Sequence, residues 1–265
     1  MPTLCGLRRR GYTPSAIRNF IQTAGVSKAY SVVDIELLEH CIRDELNFSA
    51  LRRIAVLDPL KVTVLNYPKE KSEYFKVPNN PQAAAEEVTY REVPFTGHLY
   101  IDRADFCEVP PPKFFRLKPG GEVRLMGAYI IKCTDIVKDA KGNITEILCT
   151  ADLESKNMSP ADGRKIKGTV HWLSENNAEH ININIYDRLF SVPNVADIPE
   201  DRDYKEFLNS DSLTVYQDAL IEIGVKEASL SEKFQFVRNG YFCRDKKQPD
   251  TFLQIVSLKD SYKPQ

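Results

Sequence analysis

Apolar positions along the chain change their period once. Between Pro14 and Gly25, Ile17, Phe20, Ile21 and Ala24 recur at three- and four-residue intervals and mark one stripe of a helix. Thr13-Pro14 suits its start, because Thr accepts from exposed amides and Pro lacks an N–H that the first turn leaves unused. Gly25 suits its end. A second helix is expected over 33–46, with Ile35, Leu38, Ile42 and Leu46 on one face. Two short amphipathic helices joined by a brief connector predict an antiparallel pair, and neither is long enough to stand without packing on something else.

After Arg53 the period falls to two. Thirteen short segments, many of them alternating, read as strands: 54–57, 61–65, 88–95, 99–102, 122–126, 129–137, 144–150, 168–173, 181–186, 213–217, 234–238, 241–244 and 252–258. Lys141-Gly142-Asn143 and Asn239-Gly240 are hairpin signals, since Gly and Asn take positive φ cheaply. Strands without intervening helices predict antiparallel barrels or sandwiches, so the fold class is mainly β with an N-terminal helical segment (α+β). Residues 67–87 read as a long polar loop, Pro110-Pro111-Pro112 as a stiff joint, and 192–203 as a return linker.

Composition narrows the class. The 265 residues include no apolar stretch near the roughly 20 residues that span a bilayer. The N-terminus lacks the apolar core of a signal peptide, so a cytoplasmic protein with no membrane partner is expected. Six cysteines lie far apart and four histidines form no HxxxH pair, which argues for buried reduced thiols and against a metal. The net charge of −1 conceals segregation: residues 113–138 carry six Lys/Arg against two Asp/Glu, while 195–265 carry ten against thirteen.

Candidate chemistry follows the basic stretch. Lys113, Phe114, Phe115, Arg116 and Lys118 set charge beside aromatic rings, and Arg124, Tyr129 and Lys132 follow on the next strands. Lysine and arginine neutralise phosphates, aromatic faces stack on splayed bases, and a guanidinium fork reads base edges. Arg8, Arg9 and Arg10 cannot share one helix face and read as a flexible basic patch. The acidic pairs Asp102/Asp105 and Asp201/Asp203 are expected by chance among 37 carboxylates and read as solvated. No Ser-centred elbow or Cys/His pair appears, so no catalytic residue is expected.

Four blocks carry a resemblance: GLRRRGYTP (6–14), PFTGHLYIDRADF (94–106), VRLMGAYIIK (123–132) and YDRLFSVPN (186–194). Together they resemble the C-terminal, anticodon-binding part of the glutaminyl-tRNA synthetase family, a class I aminoacyl-tRNA synthetase family, from the first residues to the last. The resemblance implies a helical stem-contact segment (1–53) and two β-barrels, the second inserted into the first. The proximal barrel would comprise 54–110 and 192–265, and the distal barrel 111–191. It implies that Arg52 and Gln217 meet the middle anticodon base, that Arg116 reads the third, and that Arg124 contacts the first base or its backbone. The family often has a further arginine two positions after Arg124; here Met126 stands there, and Phe115 stands where a bacterial relative carries Lys. Lys113, Phe114 and Lys132 are further phosphate or stacking candidates, and Arg8, Arg9 and Arg10 would touch the inner corner of the tRNA.

In the family a catalytic half precedes this region and uses ATP and magnesium through HIGH and KMSKS motifs. Neither motif is in this sequence, and Asn157-Met158-Ser159-Pro160 lacks the lysines of the second. The implied partners are the anticodon loop and inner stem corner of tRNA(Gln) and that catalytic domain, with the chain a monomer and no cofactor of its own. The third anticodon base, G for glutamine and C for glutamate, separates the two cognate tRNAs. Guanine offers acceptors to an arginine where cytosine offers a donor amine, which is worth about 1–3 kcal/mol. Alternatives are a glutamyl-type or non-discriminating relative, or a stand-alone β-barrel RNA-binding protein.

Overall fold

The computed structural model describes residues 3–259, apart from 26, 27, 29–31, 84, 85, 157, 159 and 161. Three helices open the chain: α1 (Leu4–Arg10), α2 (Pro14–Ala24) and α3 (Ile35–Ser49). Thr13 Oγ1 accepts from Ala16 N at the start of α2, and the Gly25 amide donates to the Ile21 carbonyl at its end, as the sequence predicts. The arginine run is a correction, because it is not a flexible patch. It forms α1, capped by Thr3 and closed at Gly11, whose φ is 100°. A Cβ on Gly11 would meet Cys243 Sγ at 2.7 Å, so only glycine lets the helix end lie against the sheet.

The first sheet contains β1 (Leu51–Arg53), β2 (Ala55–Val56), β12 (Ala178–Tyr186), β13 (Leu213–Glu222), β14 (Lys233–Phe236), β15 (Gly240–Arg244) and β16 (Thr251–Val256). Their order is β1-β14-β15-β16-β12-β13-β2. β16 is buried at every position, because its Leu253 and Ile255 face Leu38, Ile42 and Leu46 of α3 while Phe252 packs with Phe234, Phe236 and Phe242. The helices therefore cover one face of this sheet.

The second sheet contains β3 (Pro59–Val64), β6 (His98–Asp102), β7 (Glu122–Leu125), β8 (Ile130–Lys138), β9 (Ile144–Asp152), β10 (Thr169–Val170) and β11 (Leu173–Ser174), in the order β10-β7-β8-β9-β3-β6-β11. Both sheets curl like barrels, one nearly closed and one half-closed. A separate hairpin, β4 (Glu73–Pro78) with β5 (Tyr90–Phe95), plugs the second sheet with Phe75, Val93 and Phe95. Its β4 lies inside the stretch read as a polar loop.

Nesting is present: every strand of the second sheet falls between β2 and β12 in sequence. The boundaries differ from those the sequence predicts. β3 and β6 precede the triple proline, yet they pair with β9 and β11 beyond it. The handover lies between Val56 and Pro59 on entry, and between Ser174 and Ala178 on return. Among the described residues most strand pairings are antiparallel, as expected, and four are parallel: β1 with β14, β10 with β7, β12 with β16, and β3 with β9. Of the tetrapeptide compared with KMSKS, Asn157 and Ser159 lie outside the described residues. No described helix is long and apolar enough to cross a membrane.

Candidate nucleic-acid interface

The loop after Phe106 is tied at its base. Leu117 N donates to the Asp105 carbonyl and Cys107 N to the Leu117 carbonyl, at 3.0 and 3.1 Å, and Leu117 is fully buried. Anchored in this way, residues 110–116 project as a stiff proline-led arm. Lys113 adopts a left-handed φ of 66°, a conformation that a side chain disfavours and that turns the arm over.

Opposite the arm runs segment 165–168, held by parallel pairing of β10 with β7, Thr169 beside Arg124. A groove of about 820 Å³ lies between them. Lys113, Arg116, Lys118, Lys132, Lys165 and Lys167 line it, along with Phe114 and Phe115. Among the described residues its one acidic lining residue, Glu122, accepts from Arg164 Nε at 3.0 Å and is already neutralised. Lys167 Nζ lies 5.4 Å above the Phe115 ring, spanning the walls. The result is a concave, strongly positive surface with aromatic faces, suited to an anionic polymer with flat bases.

Arg116, Lys113, Phe114 and Lys132 from the sequence reading thus share one site. The other candidates sit elsewhere. Arg124 donates to the Ser155 and Met158 carbonyls at 3.4 and 2.6 Å. Met126, two residues on, is half-buried at the seam between the sheets, and its carbonyl accepts from Trp172 Nε1. Arg52 is only 7 % exposed. Its guanidinium donates to the Asn47 and Ala50 carbonyls that end α3, and burial lowers its pKa. Gln217 is exposed on β13 at a bulge opposite Asn182.

Of the three N-terminal arginines, Arg8 faces solvent and makes no side-chain hydrogen bond or ion pair among the described residues. Arg9 forms a bidentate pair with the buried Asp245, and Arg10 donates to the Gln254 carbonyl while lying 5.0 Å over Tyr186. Tyr129 is another correction among the basic-strand residues: it is buried and donates to Glu73 at 2.7 Å.

Lys165 and Lys167 were missed by the sequence reading. Their signal was the alternation in GRKIKG, in which Arg164 is consumed by Asp152, Asp162 and Glu122 while the two lysines stay exposed. Asp105 was misread as well. It is 2 % exposed and faces two arginines, whereas its supposed twin Asp102 accepts from the amides of Leu57 and Asp58. Among the described residues no cluster of His, Cys, Asp and Glu could hold a metal.

Comparison with known proteins gives a consistent picture. Two family profiles, both described as tRNA synthetases class I (E and Q), anti-codon binding domain, match residues 50–152 and 169–245. Proteins named glutamine--tRNA ligase are similar along 99 % of this chain, with 47 % identity in Rhodopirellula baltica and 46 % in Clostridium kluyveri. A third, from Bradyrhizobium diazoefficiens, is 43 % identical over 265 residues. The chain spans 44 to 47 % of the length of these three relatives.

Proposed function

Because this chain belongs to the anticodon-binding domain family of the class I glutamate- and glutamine-type tRNA synthetases, we propose that it recognises the anticodon loop of tRNA(Gln) as part of a glutamine--tRNA ligase. The observation that carries this reading is the groove, with its six basic residues, two phenylalanines and a single neutralised acid.

In this reading the lysines meet loop phosphates and set affinity, while Phe114 and Phe115 receive unstacked bases. Arg116 provides specificity. Its guanidinium donates to the acceptors of guanine at the third anticodon position and faces a repelling amine when cytosine replaces it. Arg52, Arg124 and Gln217 are assigned to the remaining two bases. That role requires both Arg52 and Arg124 to give up or share their present carbonyl partners, and Arg52 to become accessible. Arg8 is assigned to the inner corner of the tRNA.

These residues bind and discriminate, and no bond-making step is assigned to them. Amino-acid activation, with ATP and magnesium, is assigned to the half of the relatives outside the matched stretch, and the site of action to the cytoplasm. Quantitative footprinting of the chain on a tRNA(Gln) anticodon stem-loop tests the proposal. Protection should cover the three anticodon nucleotides, and crosslinks should map to residues 113–118 and 165–167. Protection confined to the stem, or crosslinks on another face, would overturn it.

A further inference from the structure

Asp105 lies beneath the groove rather than in it. Its Oδ1 is 2.9 Å from Arg116 Nε, and its two oxygens accept from Arg238 Nη1 and Nη2 at 2.7 and 2.8 Å. Arg238 comes from the other sheet, on the turn between β14 and β15, and its Nη1 is also 3.2 Å from His171 Nδ1. A buried carboxylate needs compensation, and the bidentate fork of Arg238 already supplies a full positive charge. Asp105 therefore does not need Arg116 for neutrality, and what the second ion pair adds is orientation.

We propose that Asp105 is a positioning residue for Arg116, and that Arg238 locks Asp105 so that base reading in one barrel depends on a clamp from the other. The inference rests on the groove being the anticodon site. A guanidinium is a rigid plane, so an ion pair on its Nε side narrows the directions open to the terminal fork that remains for a base. The backbone agrees: the Asp105 carbonyl also holds Leu117 N, so the aspartate grips residues 116 and 117 together. Among the described residues, two non-glycines have positive φ, and both belong to this assembly: Lys113 on the arm, at 66°, and Arg238 at the clamp, at 69°. Unfavourable backbone is retained where the surroundings demand it, and here it sits at the two ends of one relay.

The test is Asp105→Asn, which keeps size and removes charge. The readouts are binding to two anticodon stem-loops differing only in G or C at the third position, the salt slope, and thermal melting. The ratio of the two dissociation constants should fall about tenfold towards that of Arg116→Ala. The salt slope should not change, and adding Asp105→Asn to Arg116→Ala should lower the ratio no further. A purely structural role would weaken both stem-loops equally, and that result, or an unchanged ratio, overturns the proposal. Should Asp105→Asn fail to fold, Arg238→Lys keeps the charge and loses the fork; it should cut the ratio several-fold, and an unaltered ratio is again fatal. If the unsubstituted chain does not distinguish the two stem-loops, the reading of the groove itself fails, which is a separate outcome.

Discussion

A Cβ placed on Gly168 would collide with the Phe115 carbonyl oxygen, so the two walls of the basic groove touch backbone to backbone at that point. No side chain fits there, and the obstacle is a carbonyl that cannot swing aside. Gly168→Ala should cost about 1–3 kcal/mol in urea unfolding, the usual penalty for forcing an extra carbon into a packed contact. It should also weaken stem-loop binding further, because the arm is pushed off the lysine-bearing wall. Unfolding midpoints and titrations on the same preparation check this; wild-type values in both would show that the contact is slack.

Lys165 and Lys167 are exposed and line the groove, whereas Arg164 between Gly163 and Lys165 is held by three carboxylates. Removing both lysines should make the slope of log K against log salt shallower by about 1.4, at roughly 0.7 per phosphate released from a single strand. Base preference should be untouched. Arg164→Ala should behave in the opposite way, lowering stability and leaving the slope nearly unchanged. Salt titrations of filter binding separate the two effects.

Glu73 makes the stability of the fold depend on pH. Burial works to raise its pKa, but bonds from Lys156, Lys71, Tyr129 and Tyr67 outweigh this and hold it well below the usual carboxylate range. A depressed folded-state pKa contributes stability above the unfolded value near 4.3, and that contribution is lost as pH falls below it. Burial and the same carboxylate raise the pKa values of Tyr67 and Tyr129, so their contribution holds below about pH 10 and is lost above it. Glu73→Gln should cost about 1–3 kcal/mol at pH 7 and flatten the decline in stability between pH 5 and 3. Urea midpoints measured across pH decide it.

The alternation of short apolar runs was enough to locate the main strands, since burial on one face writes a period of two into sequence. What stayed hidden was long-range or very short. β1 has three residues and gains its place only by pairing in parallel with β14, far along the chain. β4 escaped because Phe75 alone in it is fully buried, among Glu73, Tyr74 and Lys76. The sheet boundary was misplaced because Pro110-Pro111-Pro112 stands out in composition, whereas the true handover between Val56 and Pro59 takes only Leu57 and Asp58. The arm of the candidate groove was legible because its basic and aromatic residues are contiguous. Lys165, Lys167 and Asp105 were not, because strand pairing and ion pairs bring them there through space.

Arg116 bears the central claim. The decisive measurement is the ratio of dissociation constants for two anticodon stem-loops, one with G and one with C at the third position, before and after Arg116→Ala. The native chain should prefer G, and the substitution should erase about 1–3 kcal/mol of that preference, chiefly by weakening the G stem-loop. Equal weakening of both stem-loops, with the ratio preserved, would contradict the assignment of base reading to this groove.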